Sequence, residues 1–259
     1  MNILMTIDVG NTNISLGLMQ GNDVIGSFRL TTKTPRTSDE FGLCIKELLD
    51  TTNIKDTDIE AVIISSVVPK IMYSLNSAIV KYLHKEPIIV GPGIKTGISI
   101  RTDNPREVGA DRIVDIAMAY HTYHKPCIIV DFGTATTFDF VSEDGVFKYT
   151  VIAPGLGISA TALTSQTAKL PEIEIKKPKS ILNGNTITGM QAGVVYGYIG
   201  TVEYIIKQMK KELKIQDCLV IATGGLGKVI TKETDMIDIY DPDIAYKGMR
   251  ILYDLNKNS

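Results

Sequence analysis

One short pattern occurs twice, and it limits the folds open to this chain more than any other feature. Residues 3–13 read ILMTIDVGNTN, and residues 127–140 read CIIVDFGTATTFDF. In each, a continuous apolar run ends in an aspartate (Asp8, Asp131) and a glycine comes two residues later (Gly10, Gly133). Hydroxyl and amide side chains come next: Asn11, Thr12 and Asn13 in the first copy, Thr134, Thr136 and Thr137 in the second. Short apolar runs bounded by such residues read as buried strands entering tight turns.

The segments downstream of the two copies are also alike. In the first half, strands are expected at 2–8, 14–19 and 23–30, with the Gly21-Asn22-Asp23 cluster as a turn. A helix then starts with Ser38 as N-cap and places Phe41, Ile45, Leu48 and Leu49 at helical spacing. AVIISSVVP is a buried strand ended by Pro69, a helix runs to about Leu83, and a strand at 87–90 enters Gly91-Pro92-Gly93. In the second half, strands are expected at 127–131, 135–141 and 146–152. A long helix over about 185–212, a strand at 218–222 and a final pair of helices around a short strand complete it. Two copies of three strands with alternating helix and strand after them predict a duplicated α/β fold. Each domain would be a mixed sheet flanked by helices, with a cleft between them and a division near residue 120, giving 1–120 and 121–259.

Composition narrows the function. A net charge of −2 over 259 residues argues against a nucleic-acid binder, which needs a basic excess. No apolar run approaches the ~18 residues that span a membrane. The first apolar stretch meets Asp8 too early for a secretion signal, so a cytoplasmic location is expected. The three cysteines are odd in number and widely spaced, and Cys127 and Cys218 open apolar runs, as reduced core residues would.

An aspartate at the end of a buried strand costs desolvation energy that something must offset. Turn chemistry alone is one explanation, since Asp and Asn bond nearby N–H groups and Gly permits unusual backbone angles. Two matched copies favour another: two hairpins that hold a polyphosphate. Gly10 and Gly133 would let backbone amides approach phosphate oxygens, while Asn11, Thr12, Asn13 and Thr134 donate hydrogen bonds. The carboxylates would repel the phosphates, so a hard cation must sit between them.

The turns DVGNT and DFGTATT resemble those of the acetate kinase, sugar kinase, Hsp70 and actin superfamily, which implies duplicated actin-like (ribonuclease H-like) domains. More narrowly, the chain resembles the type III pantothenate kinases nearly end to end. IDVGNTNISLGL (7–18), RTSDEFG (36–42), SSVVP (65–69), NPREVGADR (104–112) and VDFGTATTFD (130–139) carry the likeness. PGLGIS (154–159), GNTITGMQAGVVYGYIG (184–200) and ATGGLG (222–227) extend it.

The resemblance implies ATP-dependent phosphorylation of pantothenate, the opening step of coenzyme A synthesis. It assigns ATP binding to Asp8, Val9, Gly10, Asn11, Thr12, Asn13, Ile14, Ser15 and Thr134, with Asp8 acting through Mg²⁺. Asp131 becomes the ligand of an activating monovalent cation, K⁺ or NH₄⁺. Asp111 becomes the catalytic base, and Gly109, Ala110, Asp111 and Arg112 line the pantothenate pocket. Read without the family, Asp111 is equally an acid favoured by the start of a helix. Thr186 matches a substrate-contacting threonine, although it could instead cap the long helix. Thr102 stands before Asn104-Pro105 where many relatives carry an aromatic substrate contact. Gly189, Gly193 and Gly197 recur every four residues on the long helix, at ~1 kcal/mol each relative to alanine. Close packing against the sheet or a second subunit would explain them, and the resemblance favours a homodimer. The residues leave two competitors: another small-molecule kinase or polyphosphate phosphatase on the same fold, and a nucleotide-binding regulator without turnover.

Overall fold

The computed structural model describes residues 2–258. In chain order, the first elements are β1 (Ile3–Val9), β2 (Asn13–Gln20), β3 (Asp23–Thr31), α1 (Ser38–Asp50), β4 (Ile59–Ser66), α2 (Pro69–Leu83) and β5 (Ile88–Ile89). Next come β6 (Ser99–Ile100), α3 (Ala110–Tyr123), β7 (Cys127–Phe132), β8 (Ala135–Val141), β9 (Val146–Pro154) and α4 (Leu156–Ser165). The chain ends with α5 (Thr186–Leu213), β10 (Leu219–Thr223), α6 (Gly227–Thr231), β11 (Ile239–Tyr240) and α7 (Ile244–Asn256).

These elements form two compact units. The first runs to Ile98, takes in Asp103–Thr122 and regains the chain from Asp243 onward. The second holds Ser99–Thr102 and Tyr123–Pro242. The last helix, α7, lies beyond residue 121 yet packs with the first unit. Its apolar stripe explains the return: Tyr246, Met249, Leu252 and Tyr253 cluster with Leu4, Met19 and Ile63 of the first sheet.

The first sheet has the order β3-β2-β1-β4-β5 and the second β11-β10-β7-β8-β9-β6. Apart from the short added edge strand β6, the second order is the first written backward, with β7 in the role of β1 and β10 in that of β4. Pairing agrees as well: β1–β2 and β7–β8 are antiparallel, whereas β1–β4 and β7–β10 are parallel. The duplication inferred from two turns thus extends through each whole sheet.

In the first unit, Ile3, Met5, Ile7 and Val9 of β1 face α1 and α2, meeting Phe41, Ile45, Leu75 and Ile79. Leu4 faces the other way, toward Val114 and Ala117 of α3 and Met249 of α7. Each such fully buried aliphatic side chain contributes about 1.5–3 kcal/mol, so the helices fix the sheet from both sides. In the second unit, Ile128, Val130 and Phe132 of β7 pack on Leu156, Val195, Val202 and Ile206 of α4 and α5.

Local signals also have physical causes. The N-cap of α1 is Thr37 rather than Ser38: Glu40 N donates to Thr37 Oγ1 at 3.3 Å, and Thr37 N donates to Glu40 Oε2 at 2.7 Å. That reciprocal capping box satisfies two otherwise orphaned donors. Cys127 and Cys218 are buried free thiols, as expected, and burial pushes them up to about 12 and about 11.

Candidate active site

In the first unit, the parallel and antiparallel neighbours of β1 place three polar side chains in a row. Asp8 lies directly across from Ser15 on β2 and from Ser65 on β4. Register partners in a sheet share a face, so a carboxylate sits between two hydroxyls. That face is the one covered by α3 and α7. Gly17, two residues along β2, lets the Tyr246 ring lie against the strand, since a Cβ there would stand 2.7 Å from Tyr246 Cδ1. The Tyr246 phenol is within hydrogen-bonding reach of the Ser15 hydroxyl.

The turn beyond Asp8 is pinned from outside the motif. Gly10 N donates to Asn13 O at 3.0 Å, and Thr32 Oγ1 donates to Gly10 O at 2.7 Å. Asn11, Thr12 and Asn13 are left exposed at its tip. Val9 and Ile14 point their side chains into the core, so only their backbone is available to a ligand.

Asp111, on α3, is the second carboxylate whose charge acts on Asp8. Its Oδ1 accepts from the Arg112 backbone N at 2.8 Å, folding the side chain over the start of the helix. Gly109 makes this possible, because a Cβ there would stand 2.4 Å from Asp111 Oδ1 and 3.1 Å from Val67 Cγ1. Ala110 and Arg112 are half-buried in the same helical turn.

The electrostatic consequence falls on Asp8. Burial, with the Asp111 charge beside it, raises the Asp8 carboxyl to about 7, while the neighbouring Ser65 hydroxyl pulls weakly the other way. That pull is not a formed hydrogen bond: Asp8 Oδ1 and Ser65 Oγ are both sealed from solvent and neither has a partner at bonding geometry. A buried carboxylate that also feels a second one's negative charge is what a hard cation relieves. No group of three or more His, Cys, Asp or Glu side chains is placed to hold a metal among the described residues. Mg²⁺ at Asp8 would therefore take most of its ligands from phosphate oxygens and water, as Mg²⁺ commonly does in nucleotide sites.

The second unit repeats the row. Asp131 lies across from Thr137 on β8 and from Thr223 on β10. Its oxygens are approached by two glycines: a Cβ on Gly133 would stand 3.2 Å from Oδ2, and one on Gly224 would stand 2.7 Å from Oδ1. Gly224 has φ +91°, so glycine is needed there on both counts. Gly155, just ahead of α4, presses on the turn backbone, where a Cβ would fall 2.2 Å from Thr134 O. Thr134 itself is exposed. Thr136 is a structural residue, its hydroxyl accepting from Tyr198 Oη at 2.5 Å inside the core.

Thr186 is not the cap of α5. That role belongs to Asn185, whose Oδ1 accepts from Thr188 N at 3.0 Å, and Thr186 is exposed in the first helical turn. The Thr102 hydroxyl is sealed and has no partner. Sequence reasoning did not single out Ser65, Tyr246, Thr32, Thr137 or Thr223 for the site. A signal existed for two of them: both strands that run parallel to an aspartate-bearing strand end in hydroxyls, IISS and IAT.

The sequence profile of type III pantothenate kinases matches residues 4–208. The chain belongs to the type III pantothenate kinase family. It is 53% identical to the type III pantothenate kinase of Agathobacter rectalis, over 97% of this chain and 96% of that one. Identity to the type III pantothenate kinase of Bifidobacterium longum subsp. infantis is 48%, over 98% and 99%. Among solved structures, the inorganic polyphosphate/ATP-glucomannokinase of Arthrobacter sp. superposes with a TM-score of 0.51 at 13% identity, over 100% of both chains. That likeness concerns the fold, and it agrees with two duplicated actin-like sheets.

Proposed function

We propose that the protein transfers the γ-phosphoryl group of ATP to the primary hydroxyl of pantothenate, giving 4′-phosphopantothenate and ADP, the first step of coenzyme A synthesis. The observation that carries this reading is the Asp8–Asp111 pair: one carboxyl raised to about 7 by burial and by the other's charge, with an oxygen left unbonded. Such a pair suits a reaction in which a cation-bound triphosphate meets an alcohol.

Phosphoryl transfer through a loose transition state depends mostly on orientation and charge neutralisation. Mg²⁺, when bound with the nucleotide, supplies that neutralisation. Asp111 orients the pantothenate hydroxyl and accepts its proton as the new P–O bond forms and the bond to the β-phosphate oxygen breaks. Gly109 keeps the Asp111 side chain folded over the helix start, and Ala110 and Arg112 complete the pantothenate pocket. The Arg112 guanidinium suits either the pantothenate carboxylate or a phosphate, because it binds such anions bidentately. Asp8 through Ser15 and Thr134 bind ATP, while Thr186 offers its exposed hydroxyl to the substrate, and the sealed Thr102 hydroxyl would have to be uncovered to join it. Asp131, with glycine backbone around both oxygens, is assigned the monovalent cation, K⁺ or NH₄⁺.

A homodimer is part of the proposal. Gly189, Gly193 and Gly197 are exposed, and a Cβ at any of them would meet nothing within 4 Å. Packing against the chain's own sheet therefore does not account for their cost to the helix, and a second copy on this face would. No described helix is long and apolar enough to cross a membrane.

A coupled ADP-release assay with and without pantothenate, in KCl and in NaCl, tests the reading. The expected result is pantothenate-dependent release, faster in KCl. Pantothenate-independent hydrolysis would point to a phosphatase, and absence of turnover in KCl to a regulator. A monomer by light scattering at assay concentration would reject the dimer.

A further inference from the structure

The Ser65 hydroxyl is fully buried at the end of β4 and has no hydrogen-bond partner. Nothing in the packing asks for it. Its strand neighbours Ile63 and Ile64 are core residues, and an alanine would continue the strand without leaving a buried hydroxyl unsatisfied. Directly across on β1, Asp8 Oδ1 is likewise sealed and unpartnered. Two orphaned oxygens therefore face the same side of adjacent strands, one able to donate and the other to accept. Buried polar groups are nearly always paired, so each exception calls for an explanation such as a catalytic role or a bound ion or water.

We propose that Ser65 is a positioning residue for the nucleotide site: its hydroxyl donates to Asp8 Oδ1 when Asp8 engages cation-bound ATP, fixing the carboxylate plane and leaving the other oxygen for the cation. This rests on the reading of Asp8 as the Mg²⁺-linked ATP residue. Carboxylates that serve metals are commonly held by a second hydrogen bond, and loss of that support typically costs 10–100-fold in affinity or activity. Ser15 flanks Asp8 on the other side, with the Tyr246 phenol in reach, whereas the Ser65 hydroxyl has no partner in the nucleotide-free chain.

The test is Ser65→Ala, read by calorimetric titration of ATP with Mg²⁺ and with EDTA, beside urea unfolding. Affinity for Mg·ATP should fall about 10–100-fold, with ATP affinity in EDTA and KM for pantothenate within about twofold of wild type. Unfolding should be unchanged or shifted to higher urea, because no formed hydrogen bond is lost. In an Asp8→Asn background the same substitution should add less than about twofold, since its effect passes through Asp8. Wild-type Mg·ATP affinity in the Ser65→Ala variant would overturn the inference, and so would a loss that is equal with and without Mg²⁺ or accompanied by destabilisation. If wild-type protein itself binds no ATP, the functional reading fails and takes this inference with it, a result separable from failure of the variant alone.

Discussion

Replacing Asp8 by asparagine should make the nucleotide-free protein more stable while weakening its affinity for Mg·ATP. The folded state holds the Asp8 carboxyl at about 7 against an ordinary value of 3.8. For an acid with a raised folded value, the contribution to stability is intact below the unfolded value, declines as pH rises from about 4, and is fully lost above about 7. At 1.36 kcal/mol per unit, the whole loss is about 4 kcal/mol. Between pH 5.5 and pH 8 the folded carboxyl passes from mostly protonated to mostly ionised, and the part lost is about 2 kcal/mol. Asparagine does not titrate, so the stability gap between Asp8→Asn and wild type should widen by about 2 kcal/mol over that interval. Urea unfolding of both proteins at the two pH values, with EDTA and no nucleotide, measures the gap, and other titrating groups cancel in the difference. A gap constant to within about 0.5 kcal/mol, or one that narrows with pH, would refute the reasoning that burial and Asp111 together hold a proton on Asp8.

Asp111→Asn should lower turnover by about 10²–10⁴ while ATP still binds, as expected for loss of a proton acceptor, and steady-state kinetics beside nucleotide titration would show it. Gly109→Ala places a Cβ 2.4 Å from Asp111 Oδ1, so the carboxylate must move. Turnover should fall about 10²-fold, with far-ultraviolet circular dichroism and ATP affinity nearly unchanged. Gly42→Ala, remote from the site, would set a Cβ 2.1 Å from the Tyr82 ring between α1 and α2. The overpacking should outweigh the helix-propensity gain and cost about 1–2 kcal/mol in urea unfolding, leaving turnover per folded molecule intact.

The parts of the fold legible in sequence were those set by local pattern. The two apolar runs ending in Asp8 and Asp131 announced both strands, both turns and the duplication, because strand burial and turn chemistry are encoded within a few residues. The return of α7 to the first unit was not legible, because its stripe of Tyr246, Met249 and Leu252 states only that one face is buried, not against which sheet. The same limit governs the site. Asp8 and Asp111 could be named from their motifs, but the row Ser15–Asp8–Ser65 exists only through the register of three strands, two of them joined by a long crossover. The glycine spacing on α5 was visible, while its exposure was not, since periodicity gives a face and not its partner. Ser38 gave way to Thr37 as the cap of α1 for a local reason: only Thr37 stands three residues ahead of Glu40 and completes the reciprocal pair.

Proton release on nucleotide binding tests the central idea most directly, because a cation-bound triphosphate at Asp8 must displace the proton held there. Calorimetric titration of preformed Mg·ATP at pH 6.5, in buffers of different ionisation enthalpy, counts that proton. With the carboxyl at about 7, wild-type protein should release about three-quarters of a proton more than Asp8→Asn titrated to saturation with the same Mg·ATP. Tight binding of Mg·ATP to the wild type with no excess proton release over that variant would contradict it.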